Sequence, residues 1–371
     1  MVDILQPHHA SARLDAARGL SALFVVGDHV CATLFFRLIG TAGAVALISE
    51  TAGRQAVLVF FLLSGHLITK SVISNIRRGQ FSISDYAAAR VARIYPPLIG
   101  AVVICAIIWL TIHGLQLPGS VAYGLPGDLF RIRDSYKMTG QDVIGILTMR
   151  GSGGLMEADG PLWSLVIEVQ IYVLVMAIAS FWQSAWLLRI VSVMLGLIAA
   201  YYLRHQLFWV VIWGIGAATV FLKPPRWLAI IGVGVMLVVI IAMAVWSPSG
   251  LVDDTVAAHA LQIVCALFYS SVLFFAHPTL HYPRVIVGTA NFSYSVYIIH
   301  FPLLMLVLSF SQDWIGYSMT RTAVIASLAV IGILGVVIPF AWLLERPKQF
   351  KDWILKTVDL ARPATGKSVS E

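Results

Sequence analysis

RGLSALFVVGDHV, residues 18–30, runs apolar for most of its length and then sets an aspartate beside a histidine. Wound as a helix, it carries Arg18 and His29 eleven residues apart, a rotation of about 1100°, or three turns plus about 20°, and a rise of roughly 16.5 Å. The two side chains therefore share a face. With Arg18 at one interface of a hydrocarbon layer ~30 Å thick, His29 falls near its middle. Whether this segment crosses a membrane decides the fold, and the remainder of the chain answers the question.

Hydrophobic residues make up 59% of the 371 and charged residues 12%, against roughly 45–50% and 25% in an ordinary soluble domain. The mean hydropathy is +0.87. Such a chain cannot hide its apolar surface from water, so lipid is its solvent. Its spans must then be helices, which satisfy their own backbone polar groups. Stretches of about the 20 residues a crossing needs fall near 14–36, 55–75, 94–113, 161–182, 186–203, 207–222, 226–247, 257–277, 286–310 and 322–344. The expectation is an all-α membrane protein of about ten transmembrane helices.

An even count puts both termini on one side. With that side cytoplasmic, 17 of the 25 Lys and Arg residues lie inside, as the positive-inside rule requires. The same distribution accounts for the net charge of +7 without a nucleic-acid partner. A long external loop, 114–160, is expected between the third and fourth spans, with a short amphipathic helix over 142–149. The chain divides into an N-terminal tail (1–12), a membrane domain (13–347) and a cytoplasmic tail (348–371). Phe350, Trp353 and Ile354, set among lysines, mark the start of that tail as an interfacial helix. Cys31, Cys105 and Cys265 sit in apolar runs without CxxC spacing, so neither a disulfide framework nor a zinc site is suggested. No metal and no bound cofactor are expected.

Polar groups at membrane depth carry the functional signal. Entering at Pro161, the fourth span reaches Glu168 seven residues in, about 10 Å deep. Ser164, Glu168 and Tyr172 follow at i, i+4 and i+8, a polar stripe on one face. Ser64 of the second span lies at a similar level. Charged groups in hydrocarbon cost at least ~2.5 kcal/mol each on insertion scales, so they usually face a protein interior or a wet cavity. Two readings stand for His29: a working base, or a neutral imidazole hydrogen-bonded to a neighbouring helix. For Glu168 the plain alternative is an ion pair with a structural arginine. Between the second and third spans, Arg90 and Arg93 are helical neighbours whose guanidinium forks suit phosphate; anchoring on the positive side competes with that reading. Arg77 and Arg78 read as anchors, and Ser84 as the cap of the helix that follows.

Taken in order, the stretches ARGLSALFVVGDHV, FFLLSGHLITKS, ARVARIYP, GPLWSLVIEVQIYV, SYSVYIIHFPLL and LLERPKQF resemble the acyltransferase 3 family of membrane O-acyltransferases. The resemblance covers about residues 13–350. His66 stands where that family commonly has an aromatic residue. What the resemblance implies is a ten-helix transferase that passes an acyl group, most often acetyl, from cytosolic acyl-CoA to a hydroxyl of an extracytoplasmic carbohydrate. It implies His29, Glu168 and Ser64 as catalytic residues and Arg90, Arg93 and Arg18 at the coenzyme. Trp163, Tyr172, Asn291 and His300 are then expected at the acceptor, with His300 near the outer surface. The rival reading is a secondary transporter, which also keeps ionisable groups at mid-depth. Its usual inverted repeats and broken helices are not evident in the sequence.

Overall fold

A computed structural model describes residues 9–40, 43–118, 136–150, 159–183, 186–222, 256–275 and 282–361, with isolated positions at 231, 234 and 238. Among these residues every regular element is helical. The main helices are α1 (His9–Val30), α2 (Ala44–Arg77), α3 (Ile83–Gly114), α4 (Gly140–Leu147), α5 (Leu162–Gln183), α6 (Trp186–Leu203), α7 (Leu207–Ala218), α8 (Val256–Ser270), α9 (Arg284–Gly288), α10 (Ser293–Ile315), α11 (Met319–Leu344) and α12 (Pro347–Ala361). π-helical turns extend α1 through Cys31–Phe35 and α8 through Ser271–Phe275.

Eight described segments are long and apolar enough to cross a membrane, which makes this a multi-pass membrane protein. They correspond to eight of the ten expected spans. The sixth, expected over 207–222, is the 12-residue helix α7, too short to cross hydrocarbon on its own. The seventh, 226–247, lies outside the described residues but for positions 231, 234 and 238. Of the expected external loop, residues 119–135 and 151–158 also lie outside them. The short helix in that loop is present as α4, closed at its start by a reciprocal capping box between Thr139 and Asp142.

Local chemistry sets the helix ends. At the end of α2, Gly79 adopts φ +66° while the amide of Gln80 donates to the Asn75 carbonyl and that of Gly79 to Ile76, a Schellman stop. The cap of α3 is Ser82, which accepts from the Asp85 amide at 3.3 Å, and not the expected Ser84. Ser84 bonds the Ser82 hydroxyl instead. Ser82 has the extended backbone a cap requires (φ −125°, ψ 130°). Pro96, Pro97, Pro302 and Pro339 sit inside helices, tolerated because neighbouring helices cover the freed backbone groups.

The segment Arg284–Ile315, carrying α10, is the hub: 72% of its most apolar window is buried, against 17% for α6, whose side chains face outward. Helix α1 packs on α2 and α10, α2 on α7, α5 on α6, and α10 on α3 and α11. Helices α2 and α7 approach closely. A Cβ at Gly65 would land on the Trp213 carbonyl, and one at Gly216 on the Leu62 carbonyl. The glycine after Ser64 therefore lets two backbones touch, as small residues do between membrane helices. Helix α12, where the interfacial helix was expected, packs on α3, with Lys351 and Asp85 paired at 2.8 Å.

Candidate active site

Two cavities meet inside the bundle. One, of about 90 Å³, is lined by Arg18, Arg93, Ser64, Glu168, Tyr172 and Tyr294 among others. The other, of about 500 Å³, is lined by His29, Asp28, Glu50, Arg54, Trp163, Trp209 and His259 among others. We refer to them as the arginine cavity and the histidine cavity. Val57 of α2 and Tyr297 of α10 line both, so these two side chains form the partition. The Tyr297 hydroxyl is held by the Ser164 hydroxyl at 2.5 Å.

In the histidine cavity, Nδ1 of His29 lies 2.8 Å from Nε2 of His300. His300 is fully buried, and its own Nδ1 lies 2.7 Å from the Val296 carbonyl. A carbonyl only accepts, so His300 donates there. In a neutral ring the other nitrogen, Nε2, must then accept. His29 consequently donates through Nδ1 and carries its lone pair on Nε2. The tautomer of the half-exposed histidine is thus set by a buried partner on another helix, the arrangement that prepares an imidazole to take up a proton. His300 was expected nearer the outer surface, serving packing or the acceptor; its ring is buried within the bundle, on the most enclosed of the described segments. Aromatic rings line the same cavity: Trp163 and Trp209 have centroids 5.0 Å apart, and Phe208 stacks on His259 at 4.5 Å. Asp28, whose role the sequence left open, accepts from Ser49 at 3.1 Å.

In the arginine cavity, Glu168 is the acceptor of a hydroxyl cluster. Ser64 donates to its Oε1 at 2.9 Å, Tyr172 donates to the same oxygen, and the Trp213 indole donates to Ser64 at 3.3 Å. Glu168, expected as a catalytic residue, is thus engaged with hydroxyl groups, and the residue that bonds His29 is His300. Ser64 spends its single proton on Glu168.

The expected Arg90 and Arg93 pair separates. Arg93 opens into the arginine cavity, whereas the Arg90 guanidinium is held between the Tyr86 and Tyr172 rings, 5.3 Å from each centroid. The second arginine in the cavity is Arg18, braced by Asp15 at 3.0 Å. Glu345, which the sequence left between a helix stop with basic anchoring and a coenzyme contact, completes this end. Glu345 accepts the Ser295 amide at 2.7 Å and lies close enough to Arg93 and Arg18 to interact electrostatically with both. The stretch LLERPKQF that carries it was visible in the sequence, but its contact with α10 was not.

Two residues expected at the acceptor also lie at the arginine end. Tyr172 lines that cavity. Asn291 is exposed in the 3₁₀ turn Thr289–Phe292, nine residues and so about 13 Å along the helix path from His300. Trp163 alone of the four lines the histidine cavity. Among the described residues no group of three or more His, Cys, Asp or Glu side chains is placed to hold a metal ion.

The chain belongs to the acyltransferase 3 family: the family model described as an acyltransferase domain matches residues 11–346. An O-acetyl transferase of Shigella phage Sf6 is 29% identical over 170 residues, 45% of this chain and 45% of that protein. Protein 2 in the picA locus of Rhizobium radiobacter is 29% identical over 162 residues, 42% of this chain and 75% of that one. Nodulation protein 10 of Rhizobium leguminosarum bv. viciae is 26% identical over 164 residues, 43% of this chain and 38% of that one. The matched segment spans less than half the length of the phage transferase. No solved structure gives a significant match.

Proposed function

We propose that the protein is an acyl-CoA-dependent O-acyltransferase that moves an acyl group, most often acetyl, onto a hydroxyl of a cell-envelope carbohydrate. In this reading it resides in a bacterial inner membrane with both termini cytoplasmic. The observation that carries the proposal is the shared wall: a cavity with two arginines and a cavity with a tautomer-fixed histidine touch at Val57 and Tyr297. Phosphates of the coenzyme dock at Arg93 and Arg18, with Glu345 keeping their charge in register. The thioester then reaches the partition past Ser64, Glu168 and Tyr172. The sugar enters the histidine cavity, where Trp163 and Trp209 offer flat faces and Asp28, Glu50 and Arg54 offer polar contacts, the usual lining of a small-molecule site.

The acceptor oxygen attacks the thioester carbonyl carbon while Nε2 of His29 takes the hydroxyl proton, the contribution of a general base. His29 is then an imidazolium, and its Nδ1–H bond to His300 strengthens as the charge develops. Collapse of the tetrahedral intermediate breaks the C–S bond, and the proton returns from His29 to the departing sulfur, leaving an ester and free coenzyme A. Ser64 serves the oxyanion by turning its hydroxyl from Glu168 to the carbonyl oxygen, with Tyr172 left to satisfy the carboxylate.

The test uses the full chain in lipid nanodiscs with radiolabelled acetyl-CoA and glycan isolated from cells lacking the gene. Label on the glycan, lost in His29→Ala, supports the reading. Absence of label on the glycan, with the same protein reconstituted in vesicles moving label across the membrane without covalent change, indicates a transporter and refutes it.

A further inference from the structure

The helix that supplies Ser64 has a second functional face. On the side of α2 turned away from the arginine cavity, a further cavity of about 480 Å³ is lined by His66, Lys70, Ser74, Arg77, Arg78 and Thr219, with Ile73 and Val220. His66, Lys70, Ser74 and Arg77 or Arg78 recur at three- and four-residue spacing, so their side chains form one stripe. From His66 to Arg78 the stripe rises about 18 Å.

Its polarity is graded. Lys70, Arg77 and Arg78 are exposed at the end nearer the turn at Gly79. Among the described residues no carboxylate lines the cavity and none of the three cations forms an ion pair. Elsewhere in the bundle Arg18 pairs with Asp15, Lys351 pairs with Asp85, and Arg90 lies against two tyrosine rings. The deep end is uncharged. Thr219 donates to the Gly216 carbonyl at 2.5 Å and therefore accepts from Nδ1 of His66 at 2.7 Å, while the imidazole lies flat on Phe274 at 4.2 Å. Anchoring on the positive side of a membrane requires only that cations reach solvent. It does not require that three of them converge, unpaired, on a cavity whose far wall is a hydroxyl and an aromatic-backed imidazole.

We propose that this cavity binds a phosphate-bearing amphiphile, its phosphate held by Lys70, Arg77 and Arg78 and its less polar part lying toward His66 and Phe274. Both an anionic phospholipid and a soluble phosphate ester carry that chemistry, and the site is separate from the arginine cavity.

The experiment compares the full-length protein with the triple variant K70Q/R77Q/R78Q and with S74D, which places a carboxylate among the cations. Monodispersity in detergent serves as the folding check. Native mass spectrometry from nanodiscs of phosphatidylcholine and phosphatidylglycerol reads retained anionic lipid, and thermal unfolding with inorganic pyrophosphate reads the soluble source. We expect phosphatidylglycerol retention, or the pyrophosphate-induced shift, to fall about tenfold or more in both variants and to persist in R93Q. A lipid effect alone assigns the lipid source, and a pyrophosphate effect alone assigns the soluble one. Equal retention and equal shifts in the wild type, the triple variant and S74D would overturn the proposal. If neither variant is monodisperse, the wild type decides: no preference for phosphatidylglycerol over phosphatidylcholine and no pyrophosphate shift would overturn it as well.

Discussion

Replacing His300 with phenylalanine tests how the base is held. The ring is fully buried and bonds Nδ1 of His29 at 2.8 Å, yet it lines neither cavity, so the substitution leaves donor and acceptor contacts in place. What it removes is the acceptor for the His29 Nδ1 proton. A hydrogen bond to a group that becomes charged contributes about 1.5–3 kcal/mol, which corresponds to roughly 10–150-fold in rate. We therefore expect kcat for acyl transfer to fall by about that factor while the KM values for acyl-CoA and acceptor stay within about twofold. His300→Gln restores a carbonyl acceptor beside His29 and an N–H donor toward Val296, and is expected to recover part of the loss. A steady-state assay in nanodiscs, with each variant checked for monodispersity, reads all of these parameters. A phenylalanine variant with wild-type kcat, or one whose defect lies wholly in KM, refutes the positioning role.

Enlarging the partition with Val57→Phe should block passage between the cavities: transfer drops at least tenfold while calorimetry still detects acyl-CoA binding, and unchanged transfer would show that the route lies elsewhere. Arg93→Gln is expected to raise the KM for acyl-CoA by about tenfold or more. Arg90→Gln should instead lower thermal stability, by loosening the Tyr86 and Tyr172 stack, with KM little changed; the reverse pattern would return Arg90 to the coenzyme. Gly65→Val should cost about 1–3 kcal/mol or prevent assembly, because its side chain falls on the Trp213 backbone. Thermal unfolding in detergent checks this, and a stable variant would mean that α2 and α7 can separate.

The membrane spans were legible because ~20-residue apolar runs identify themselves without tertiary information. The exception, residues 207–222, shows the limit: composition alone cannot tell a 12-residue helix such as α7 from a full crossing. Helical spacing correctly put Arg18 and His29 on one helix, and Ser164, Glu168 and Tyr172 on another. It could not say which neighbour each would meet. Arg90 and Arg93 are adjacent on α3, yet one stacks between tyrosines and the other opens into a cavity, a difference decided by Tyr172 arriving from α5. The sequence left His300 between packing and the acceptor, and Glu345 between a helix stop and a coenzyme contact, because their partners, His29 and the Ser295 amide, lie 271 and 50 residues away. Depth along a helix can be counted from sequence. Packing partners cannot.

His29→Asn in the purified full-length protein bears most directly on the chemistry, since asparagine can still donate to His300 yet cannot take up a proton. With acetyl-CoA and glycan supplied together, transfer should fall by about 10²–10⁴-fold, the range typical of a removed general base, with acyl-CoA binding retained. Turnover at the wild-type rate would contradict the assignment of His29 as the group that accepts the hydroxyl proton.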